Sequence, residues 1–125
     1  MKYAIAVLVT LGLAILAWFA DIPKELGAHP WWSQQVLLTG ALVGLVVGLI
    51  LDRFLKGGLT AVLGLFIAAT IGFGVAKYGQ TQFAASFAED AFAGQLWFFG
   101  WHVTSIMTFA TIASASLLRP NSLTA

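Results

Sequence analysis

Four long apolar runs fill this chain: Tyr3–Ala20, Val36–Leu51, Leu59–Ala76 and Leu96–Leu118. None of them contains an acid, a lysine or an arginine. A bilayer core is crossed by about 20 apolar helical residues. Inside lipid, a helix satisfies every backbone polar group within its own segment. Hydrophobic residues make up 60% of the 125, which leaves no polar shell for a soluble domain of this size. The runs predict an all-α integral membrane protein with four transmembrane helices in an up-down bundle. The spans are expected near 3–20, 33–51, 59–77 and 96–118, within one domain covering 1–125.

The formal net charge is +1. Nucleic-acid binding needs a clustered basic face, and this chain has none. Without cysteine, disulfides, thiolate metal sites and cysteine nucleophiles are excluded. The first run follows Lys2 and ends at Ala20, as a signal peptide could. However, Trp18 occupies the position where such a cleavage site needs a small residue. We read Tyr3–Ala20 as a retained span.

The loop charges orient the chain. With both termini cytoplasmic, Lys2, Arg53, Lys56 and Arg119 lie inside, and Lys24 and Lys77 lie outside. That bias follows the positive-inside rule and is consistent with a bacterial inner membrane. Trp31, Trp32, Trp97 and Trp101 then sit at the outer boundary as interfacial anchors, since indole rings prefer the headgroup level. Thr81–Gly94, with Phe83, Phe87 and Ala91 at helical spacing, reads as a short amphipathic helix lying on the membrane before the fourth span. Pro120 is expected to stop that span.

Small residues recur every fourth position in the two middle spans. They are Gly40, Gly44 and Gly48 in the second, and Gly64, Ala68, Gly72 and Ala76 in the third. Residues four apart share a helix face, and small faces let backbones approach closely in lipid. The short connection Asp52–Gly58 predicts that these two spans form a hairpin closed through both strips, a glycine zipper. Surplus small faces would serve docking on other transmembrane subunits, in a hetero-complex or a homo-oligomer. The stretch Gly44-x-x-x-Gly48-x-x-Leu51-Asp52-Arg53, followed by Gly57 and a second glycine-rich span, resembles the hairpin of the small ATP-synthase-associated membrane proteins (subunit I and its relatives). The likeness covers roughly Gly40–Gly79. It departs at Gly58-Leu59-Thr60, where that family has an aromatic residue or proline, and we carry no function over from it.

His102 is the one clearly titratable side chain within a span. Intramembrane ionisable residues mark functional sites by default. Its imidazole could relay a proton, bond a neighbouring hydroxyl or ligate the metal of a tetrapyrrole. Asp52, beside Arg53 and Lys56, reads as a helix-end charge cluster. No nucleophile triad, metal-ligand spacing or phosphate loop is present, so no enzyme and no metal site are expected. The leading expectation is an accessory or assembly subunit of a larger membrane complex. The alternatives are a homo-oligomeric channel, holin-like pore or transporter, and a pigment- or haem-binding subunit centred on His102.

Overall fold

The computed structural model describes residues 1–56 and 58–118. Gly57, cited in the hairpin resemblance, and Arg119 and Pro120, which entered the topology argument, lie outside the described residues. The elements are α1 (Lys2–Phe19), α2 (Ile22–Glu25), α3 (Ser33–Leu55), α4 (Gly58–Ala85) and α5 (Ala91–Ser116), with no strand among the described residues. All but α2 are long and apolar enough to cross a membrane. At 1.5 Å per residue the four measure about 27, 35, 42 and 39 Å.

The helix ends follow local chemistry. Asp21 turns into the left-handed region at φ 52°, and Pro23 enters the first turn of α2, where its missing N–H costs nothing. Ser33 Oγ donates to Pro30 O at 3.4 Å as α3 begins. Lys56, left-handed at φ 47°, ends α3. Asp90 caps α5, its carboxylate accepting the Ala93 N–H at 3.0 Å.

The expected surface helix over 81–94 does not form. α4 runs on to Ala85, and Phe87 and Ala88 then adopt left-handed conformations at φ 56° and 66°. The apolar residues of this segment have a partner within the chain. Phe83 packs against Trp97 and stands beside Gly94, so its face turns toward α5.

The hairpin of spans two and three is also corrected. α3 and α4 are adjacent in sequence but are not a packed pair; both pack against α5, which also contacts α1. A methyl group built on Gly44 would lie 2.8 Å from Ala110 N and from Phe109 Cβ, and one on Gly48 would lie 2.6 Å from Ala113 Cβ. One on Gly40 would collide with the Ser105 side chain. The numbering rises together along both helices, so α3 and α5 run parallel. Gly72 meets Thr104, Ala76 meets Gly100, and Gly79 meets Trp97, so α4 runs antiparallel to α5. At one end of α1, Lys2 and Tyr3 reach Asp52. At the other, Trp18 packs with the buried cluster of Leu37, Ala41 and Phe109. α1 is therefore antiparallel to α3. The physical reason for the change is that α5 carries small residues on two faces and accepts a close neighbour on each.

Candidate functional site

The seven small residues of the two strips divide sharply. Gly40, Gly44 and Gly48 are buried against α5, and Gly72 is buried against Thr104. Ala68 is half-buried in a groove between α4 and α5. Gly64 is exposed, with no atom outside its own helix within 4 Å of a methyl group placed on it. The closest approaches of α4 fall at Ala76, the last residue of its strip, and at Gly79, outside the strip, opposite Gly100 and Ala93.

Three of the six hydroxyls of α5 bond within the helix. Thr104, Thr111 and Ser116 donate to carbonyls four residues back, at 2.7, 2.6 and 2.8 Å. Ser105 and Ser114 are buried without a hydrogen-bond partner among the described residues. Ser105 abuts Gly40, and Ser114 lies beside Gly48.

The tryptophans occupy different environments. Trp31 is 91% exposed. Trp32 and Trp97 are partly buried and meet edge to face at 5.4 Å. Trp97 Nε1 donates to Gly27 O at 2.9 Å, which fastens the α2 segment to the start of α5. His29 lies among Trp31, Trp32 and Trp97 and accepts the Trp31 N–H on Nδ1. Trp101 is corrected from anchor to core: it is 3% exposed and clusters with Val36, Ala76 and Phe73. Its place is one helical turn below Trp97, under the α2 segment. Its indole N–H is buried and finds no acceptor among the described residues.

His102 is half-buried, with its ring 4.4 Å from that of Phe98. Nδ1 lies 2.9 Å from Phe98 O. A carbonyl only accepts, so Nδ1–H is the donor, and the tautomer this bond selects carries its lone pair on Nε2. The same arrangement orients histidines that ligate metals through the other nitrogen.

Asp52 draws two helices together. Its carboxylate accepts from Lys2 Nζ at 2.8 Å and from Tyr3 Oη at 2.9 Å. The expected charge cluster therefore includes the start of α1. Among the described residues, no group of three His, Asp or Glu side chains is close enough to hold a metal ion.

The fold defines an integral membrane protein of the α-helical class. No family model, curated protein or solved structure matches the chain.

Proposed function

We propose that this protein is a small accessory or assembly subunit of a larger inner-membrane complex, without catalytic chemistry of its own. The observation that carries this reading is α4. Among the described residues its substantial packing partner is α5. Gly64 lies bare on a face that also exposes Ile67 and Ile71, three and seven residues on. A small residue flanked by large apolar ones on one face gives a facing helix a place to approach closely. This chain leaves that place to another subunit. Both termini are assigned to the cytoplasm. Lys2 and the ends of α3 and α5 share the Asp52 end of the bundle, with Arg53 and Lys56 close by.

The channel reading draws less support, because five of the six α5 hydroxyls bond their own backbone or pack against α3. A second reading has one favourable observation: the Nδ1–H bond of His102 leaves Nε2 as a lone-pair donor to a tetrapyrrole metal. Isolation of the tagged protein in mild detergent tests all three. An accessory subunit brings defined larger proteins with it, a pore brings only copies of itself, and a pigment subunit absorbs visible light unless His102 is replaced by phenylalanine. A colourless monomer would overturn the proposal.

A further inference from the structure

The turn between α4 and α5 is tied by a run of hydrogen bonds. Phe87 N–H donates to Ala84 O at 3.1 Å, and Ala88 N–H donates to Phe83 O at 3.0 Å. This pair of bonds is the Schellman ending of a helix, and it places Phe87 at the left-handed position that glycine usually fills. Ser86 Oγ donates to Phe83 O and accepts the Asp90 N–H, both at 2.9 Å. Asp90 then caps α5. The loop therefore holds Phe87 in one arrangement.

Phe87 suits neither the turn nor the core. At φ 56° its Cβ crowds the backbone, whereas glycine adopts this conformation without that cost. Its ring buries nothing in return. Phe87 is 90% exposed, while Phe83, one helical turn earlier, packs against Trp97. Strained residues held in place by ordered surroundings cluster at functional sites, and aromatic side chains are enriched in the cores of protein interfaces. Phe92, 68% exposed in the first turn of α5, brings a second ring to the same end of the hairpin.

Charge selects the occupant. Glu89 and Asp90 follow Phe87, both are exposed, and residues 82–92 include no lysine or arginine. The tip also lies beyond the apolar run of α4: Ala85 is about 12 Å along the axis from Lys77, the first charged residue of that helix. Sinking the Phe87 ring into lipid would draw two carboxylates toward hydrocarbon, where charge is costly. A second copy docked tip to tip would set like charges against each other. A protein pocket rimmed by lysine or arginine accepts the ring and the carboxylates together.

We propose that the α4–α5 turn docks through Phe87 into an apolar pocket, rimmed by basic residues, on the extramembrane part of a partner protein. The inference deepens the accessory-subunit reading and rests on it, but its surface is separate from the Gly64 face.

The tagged full-length protein would be isolated from native membranes in mild detergent as the wild type, Phe87→Gly and Glu89→Lys. Phe87→Gly relieves the left-handed strain, so it should melt at or above the temperature of the wild type. The larger proteins recovered with it should nevertheless fall at least tenfold, as for loss of an aromatic anchor. Glu89→Lys, at an exposed loop position, should lower recovery severalfold, and it keeps the test open should Phe87→Gly melt early. Benzoylphenylalanine in place of Phe87, illuminated in native membranes, should form an adduct with one of those proteins at a segment containing lysine or arginine. Equal recovery by the wild type and Phe87→Gly overturns this inference alone. Absence of larger proteins from the wild type overturns the accessory reading with it. Undiminished recovery with Glu89→Lys also overturns the inference, as do adducts with lipid alone or with a second copy of this chain.

Discussion

Replacing Gly44 by leucine tests the packing at the centre of the bundle. The first side-chain carbon would lie 2.5 Å from Ile106 O and 2.8 Å from Ala110 N. Both are backbone atoms of α5, so neither can swing aside. Comfortable carbon contacts lie near 3.5–4.0 Å, so the helices must part by about 1 Å. A gap of that size forfeits up to about half of each neighbouring dispersion contact. The loss spreads from Gly40 to Gly48, and the rest of the leucine must still be placed. We expect a cost of about 2–4 kcal/mol. On heating in mild detergent, the monodisperse fraction should be lost about 10 °C earlier than in the wild type. Gly64→Leu adds the same side chain where nothing lies within 4 Å, and should melt within about 2 °C of the wild type. Equal shifts for the two variants, or none for Gly44→Leu, would refute the α3–α5 interface.

Other substitutions probe separate joints. Gly79→Ala should lower stability by about 1–3 kcal/mol, although alanine is the better helix former, because its methyl group would stand 2.6 Å from Ala93 O; thermal melting reads this. Trp97→Phe loses the bond to Gly27 O, so hydrogen exchange should quicken in the α2 segment and stay slow in α3 and α5. Asp52→Asn removes the charge opposite Lys2, at about 1 kcal/mol, and exchange should quicken in the first turns of α1.

The four spans were legible because absence of charge over some 20 residues has one physical meaning in a chain this apolar. Pairing was not. A four-residue repeat of glycine announces a close approach but not the approaching helix. A short loop favours its two neighbours by proximity alone. The missing signal lay in α5: Gly100 and Thr104 on one side, Ala110 and Ala113 on another, mark a helix able to sit between two others. Asp90, an N-cap residue before an apolar run, also marked the true start of α5. By contrast, nothing in Phe87-Ala88 foretells two left-handed residues, since neither is glycine. Trp101 was misplaced because tryptophan suits a headgroup boundary as well as a core, and only the course of α2 above it decides between them.

The claim that α4 presents a docking face is tested most directly in native membranes. A photoreactive residue would be placed at Ile67, 57% exposed beside Gly64, or at Leu8, 70% exposed on α1. Illumination should give a discrete protein adduct from Ile67 and only lipid adducts from Leu8. Lipid adducts alone from both positions would contradict the account.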